Sequence, residues 1–434
     1  MNIAPLRAVV AVFSNTVVAT AIILLYLSYV TFWYDSYQSN VVVSTLFLAA
    51  ILAAAALYFL SAPIKGSIFF LKNRYSIWCL SVLVIQSLNV WRLKSQGTAP
   101  EFVEPIFEGI LYFLLAPAFL YLVFRIPKYF FKWPLFIIAI LAPSVLVYDF
   151  AFPGTMHPAG DETNVVTSAR ISGFWLNPNI ASEAIVLILV LCSMYFQRKA
   201  MMFFYVLAIF GIVLTASRAG MIAYLLIGIS FYLSNTLPRY FIFFPVLISL
   251  TFGFLLSTLE DAAFSVGRNT GVDAVIKRIE FIGGKHHEDF STESRSEIAA
   301  SAFQQIFETP FIGHGTKFID TVFNVGSHNM ILDWTYQYGI VGFILWATLA
   351  YLLWKVSSKS IFLNLPLIVF VWFSFFSHNM LDSNIWFIFL AFVFVHSDKA
   401  ASPINAPNFT ITKRKKRRRK RRKHSIPSTS RTTA

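Results

Sequence analysis

The chain reads as an all-α polytopic membrane protein, and three observations predict that class. Hydrophobic residues make up 57% of its 434 positions and charged residues only 13%, with a mean hydropathy of +0.66. Soluble globular domains of this length are not so apolar. Apolar runs of about 20 residues recur from end to end, the length a helix needs to cross a bilayer. The cations, finally, are segregated between alternate loops. Backbone polar groups find no water in the hydrocarbon core, so helices are the expected spanning structure.

The apolar runs define about twelve spans: 8–33, 41–61, 75–92, 104–124, 134–152, 180–196, 200–216, 219–235, 240–257, 328–354, 361–378 and 381–396. The 200–235 pair also reads as broken helices meeting at Ser217-Arg218. With the N-terminus inside, 25 of the 35 Lys and Arg residues fall on the inner side, which satisfies the positive-inside rule. That orientation divides the chain into spans one to nine over 1–257 with an outer loop at 153–179, a long outer loop at 258–327, three more spans over 328–398, and a cytoplasmic tail from 399 to 434. Both termini are then cytoplasmic. The first apolar run is too long for a cleavable signal and reads as a signal anchor. Cys79 and Cys192 both fall within spans and form no disulfide framework.

Several features carry less than they promise. Residues 413–423 are eleven consecutive cations and supply most of the formal net charge of +14. Such a block self-repels. It suits nucleic acid by charge alone, but behind so many spans it reads as an anchor on the anionic inner leaflet, with no nucleic-acid partner. His286-His287-Glu288-Asp289 lacks a second paired motif and reads as a solvated loop, so no metal site is expected. Gly283-Gly284 and Gly313-His314-Gly315 are turn signals, since neither follows a strand pattern.

Four elements with chemical potential share the outer face. Arg170 leads into Asn177-Pro178-Asn179, a helix-start signal whose side chains satisfy exposed backbone donors. Ser217-Arg218-Ala219-Gly220 places an arginine between two apolar runs. An arginine at a span centre costs about 2.5–3.5 kcal/mol on insertion scales, so it marks function by default. Its guanidinium fork suits a diphosphate, and the alternative is an ion pair with Glu183.

The third element is Thr292-Glu293-Ser294-Arg295-Ser296-Glu297, where Ser294 with Glu297 fits a capping box. An apolar stripe of Ile298, Ala299, Ala302, Phe303, Ile306 and Phe307 follows at helical spacing. Arg295 is then expected in the first turn, where the helix dipole favours an anion; pairing with Glu293 or Glu297 is the alternative. The fourth is Ser327-His328-Asn329-Met330 at the junction of the long loop and a span. A histidine at a helix N-terminus is held neutral and accepts a proton, as a general base must. Ser377-His378-Asn379-Met380 is a near-copy fifty residues later, ranked below it because no long loop feeds it.

Together, Arg170…Asn177-Pro178-Asn179, Thr215-x-Ser217-Arg218-x-Gly220 and Gly313-x-Gly315…His328-Asn329…Tyr338-Gly339-x-x-Gly342 resemble the ordered motifs of the bacterial O-antigen ligase and O-antigen polymerase superfamily. The likeness covers about 165–345; the remainder resembles it only in hydropathy and in the long outer loop. It implies a metal-independent inverting glycosyltransferase of the inner membrane, without a cofactor, acting at the periplasmic face. The implied donor is a glycan on undecaprenyl diphosphate, and the implied acceptor is a sugar hydroxyl of lipid A–core or of the growing chain. By the same resemblance, Arg218 and Arg295 hold the diphosphate and His328 activates the acceptor; Arg170 is a further candidate for the diphosphate, and Asn329, Asn177, Asn179 and His378 are candidate supporting residues. The motif set leans towards ligase over polymerase. A lipid-linked oligosaccharide flippase is the rival from another class, but no half-to-half repeat is visible.

Overall fold

The computed structural model describes residues 4–38, 42–60, 72–95, 100–152, 155–156, 171–215, 217–242, 290–315, 329–356, 364–377 and 380–401. Arg170, His328, His378, His286-His287-Glu288-Asp289 and the cationic run all lie outside these residues. So does nearly all of the ninth expected span.

Among the described residues every regular element is helical. Five helices are long and apolar enough to cross a membrane: Val10–Leu27, Arg74–Ser95, Tyr129–Ala151, Pro178–Tyr195 and Arg198–Thr215. Six further apolar helices are shorter: Thr45–Leu60, Phe113–Arg125, Arg218–Leu233, Ile340–Val356, Leu365–Ser374 and Asn384–His396. The all-helical, membrane-type architecture is therefore as expected, with five spans of full length where the sequence suggests about twelve.

Among the described residues the main core is one continuous cluster that gathers side chains from many of the helices. Helix Pro178–Tyr195 runs through its middle, with every residue from Ala181 to Cys192 buried. In lipid there is little hydrophobic drive between helices, so close packing and polar contacts must supply cohesion. Small residues do this here. A Cβ on Gly228 would collide with the Tyr205 hydroxyl, and one on Gly342 with the Trp334 carbonyl.

The Gly342 contact changes the reading of the span expected at 328–354. That stretch is two helices, Met330–Tyr338 and Ile340–Val356, joined at Gly339. Gly339 has φ 64°, a left-handed conformation that a side chain would strain. The chain doubles back there, so the first helix packs along the second. Contacts with helix Arg74–Ser95 fix the direction. Trp78 stacks on Trp334 with ring centroids 6.0 Å apart and donates to the Leu345 carbonyl at 2.9 Å. Further along, Gln86 meets the Tyr338 hydroxyl at 3.4 Å, and Arg92 donates to the Gly313 carbonyl at 3.1 Å. The bend is thus near the Arg92 end and Asn329 lies beyond Trp334 in the other direction. At 1.5 Å per residue, Trp78 and Arg92 are separated by about 21 Å along the helix axis. Helix Met330–Tyr338 spans nine residues, so Asn329 lies about 14 Å from the bend.

Helix Phe290–Ile306 also departs from expectation. It starts four residues before Ser294, so Arg295 falls in its second turn and not at its N-terminus. The dipole argument for Arg295 does not apply. The expected stripe is only partly buried: Ala302 packs against Tyr336, with Ile306 beside them, whereas Phe303 and Phe307 are exposed and meet edge to face.

Candidate functional site

The first four N–H groups of any helix lack intrahelical partners, and short polar side chains can satisfy them. Among the described residues, three helix starts do so with motif residues. Asn177 caps helix Pro178–Tyr195, its side-chain oxygen accepting from the Asn179 N–H at 2.9 Å. Pro178 at the first helical position lacks the N–H that would otherwise be unsatisfied there. Ser217 caps helix Arg218–Leu233 by accepting from the Gly220 N–H at 3.3 Å. Asn329 caps helix Met330–Tyr338 and accepts from the N–H groups of Ile331 and Leu332 at 3.0 and 3.1 Å.

The first two starts are joined directly. The Ser217 hydroxyl donates to Asn179 Oδ1 at 3.1 Å. Gly220 lies so close to Ser182 that a Cβ there would clash with it, which explains the glycine two positions after Arg218. The Asn177-Pro178-Asn179 and Ser217-Arg218 motifs, about forty residues apart in sequence, therefore form one junction. Arg218 opens the second helix and is half-buried. The expected break between spans seven and eight falls there, with helices Arg198–Thr215 and Arg218–Leu233 on either side.

The third start reaches the same neighbourhood through helix Leu365–Ser374. Trp372 donates its indole N–H to the Ala219 carbonyl at 2.9 Å, tying that helix to the residue after Arg218. Ser374 Oγ stands 4.0 Å from Met330 Sδ and accepts from the Trp346 indole at 3.0 Å. Asn179, Ser217, Ala219 and Met330 are thus linked through a short series of side-chain contacts.

The structure places three buried acids near these starts, of which sequence reasoning names only Glu183. Asp149 accepts from the N–H groups of Ser172 and Gly173 at 3.0 and 2.9 Å and so fixes the turn leading to Asn177. Asp333, one turn beyond Asn329, accepts from Gln337 at 2.6 Å. Glu183, expected only as an ion-pair partner for Arg218, accepts instead from Trp386 Nε1 at 3.1 Å and hydrogen-bonds to Ser377. The signal available for all three is an acid in an apolar stretch, which is costly without a partner. Arg295 belongs to helix Phe290–Ile306, which packs on the Asn329 helix, its Gln305 side chain accepting from the Tyr336 hydroxyl at 2.7 Å.

A cation at a helix N-terminus opposes the helix dipole, which favours negative charge there. Arg218 is the first residue of a helix capped by Ser217, so its charge stands at the positive end of that helix. Among the described residues no group of three or more His, Cys, Asp or Glu is arranged to hold a metal ion. Comparison with curated proteins finds no match to the chain. Residues 203–347, which include Ser217, Arg218, Arg295 and Asn329, match the family model described as O-antigen ligase, and this match supports the resemblance of the motifs to the O-antigen ligase and polymerase superfamily.

Proposed function

We propose that the protein is an inverting membrane glycosyltransferase. It moves O-antigen or a related polysaccharide from undecaprenyl diphosphate to a sugar hydroxyl of lipid A–core at the periplasmic face. The position of Arg218 carries this reading. It opens a helix whose cap is bonded to the Asn177-Pro178-Asn179 cap, and it lies within the stretch matching the O-antigen ligase family. Guanidinium and helix dipole there favour the same ligand, an anion such as the diphosphate of a lipid carrier.

In this reading the donor diphosphate docks against Arg218, with Arg295 and Arg170 as further cations. His328 takes the proton from the acceptor hydroxyl. The hydroxyl oxygen bonds to the anomeric carbon from the face opposite the diphosphate. The bond from that carbon to the diphosphate oxygen breaks, and undecaprenyl diphosphate leaves with the electron pair. The arginines stabilise the charge developing on the leaving group, the electrostatic role a metal ion plays elsewhere. Lipopolysaccharide from a deletion strain, with the carrier-linked glycan pool measured alongside, tests the reading. Bare core with long glycan retained on the carrier is expected. Core bearing a single repeat would assign the same chemistry to a polymerase, and an unchanged ladder would overturn both for that glycan.

A further inference from the structure

Helix Pro178–Tyr195 is apolar and buried through most of its length, yet it carries an acid at Glu183, only 5% exposed. Its two partners come from two other segments. Trp386 is held among the rings of Phe370, Phe373 and Phe389, so its indole N–H is a fixed donor. Ser377 sits in the turn after helix Leu365–Ser374. Asn179, Ser182 and Glu183 are spaced so that they share one helix face. Asn179 holds the Ser217 cap, Ser182 packs on Gly220, and Glu183 holds Ser377 and Trp386. About one helical turn therefore sets three separate segments in register.

Packing alone does not require an acid here, because a buried hydrogen-bonded pair can give way to apolar groups of the same shape at little cost. We propose that Glu183 is a positioning residue of the transferase. Through Ser377 it holds the turn that starts the second Ser-His-Asn-Met copy in register with the Ser217-Arg218 helix start. This inference rests on the transferase reading above.

The test uses the full-length chain in proteoliposomes, with a glycan on undecaprenyl diphosphate as donor and lipid A–core as acceptor. Glu183→Gln keeps the size of the side chain and a single acceptor oxygen for two donors. The variant should unfold at the wild-type temperature, lose roughly 10–100-fold in kcat, and keep a donor KM within about twofold of wild type. Ser377→Ala should lose kcat in the same way. The double variant should be no worse than the poorer single one, because both act through one contact. A folded Glu183→Gln protein with normal kcat overturns the proposal. If that variant fails to reach the membrane, Ser377→Ala decides alone, and normal kcat there overturns it equally. Failure of the wild-type protein to transfer any glycan would sink the transferase reading itself, and the proposal with it.

Discussion

Ser327-His328-Asn329-Met330 and Ser377-His378-Asn379-Met380 are near-identical in sequence and end up in different local structures. In the first, Asn329 caps a helix through two backbone N–H groups, and Met330 is buried. In the second, the helix lies upstream. It ends at Ser374, Ser377 turns to Glu183, and Met380 opens a short 3-10 turn. The residues downstream of each copy also differ. Met330 leads into Ile-Leu-Asp-Trp-Thr-Tyr, with a single short polar side chain before the helix is established. Met380 leads into Leu-Asp-Ser-Asn, and the next helix waits until Asn384. Packing nonetheless brings the first copy against the helix that precedes the second, with Met330 Sδ 4.0 Å from Ser374 Oγ. Equal motifs therefore need not have equal roles, and fold context assigns each its own.

Removing each histidine in turn probes the two copies most directly. His328→Ala should cut transfer by roughly 10²–10⁴-fold, the usual scale for a general base, while His378→Ala should cost far less. Equal losses in a membrane transfer assay would make the two copies equivalent, and full activity in His328→Ala would end its assignment as the base.

Arg218→Lys comes next. Lysine keeps the charge but loses the planar fork, so turnover should fall by roughly tenfold or more. Near-normal turnover would leave Arg218 a purely structural role beside the Ser217 cap.

Gly342→Ala acts on the hairpin that follows the first copy. Its new methyl group has to displace the Trp334 carbonyl, which should cost about 1–3 kcal/mol of stability. An unchanged thermal unfolding midpoint in detergent would contradict that close approach. The smallest effect belongs to the cap itself. Asn329→Ala should lose about 1 kcal/mol, whereas Asn329→Asp keeps the accepting oxygen and most of that stability. Equal unfolding midpoints for the two variants would show that the cap contributes nothing.

Helix starts are the most legible part of the site. Asn177-Pro178 caps a helix where its sequence suggests, and the break expected at Ser217-Arg218 falls where Ser217 caps the next helix, because a cap is a local arrangement of a few consecutive residues. The start expected at Ser294 fails for a related reason. Phe290, Ser291, Thr292 and Glu293 already take up helix, and a box-like pattern does not stop a helix that has begun. Hydropathy misleads over 328–354: the stretch is apolar enough for one span, but a single glycine with positive φ divides it.

Residue order suffices to make this chain helical and suited to a membrane, since apolar runs of such length leave the backbone no other way to satisfy its hydrogen bonds. It suffices, too, for where several helices begin. The folded arrangement alone reveals that Asn179 bonds to Ser217, that Met330 lies against Ser374, and that Glu183 faces Trp386 and Ser377. Those pairings join residues tens to hundreds of positions apart. They depend on how aromatic rings and small residues pack between helices, and no local pattern of residues encodes that.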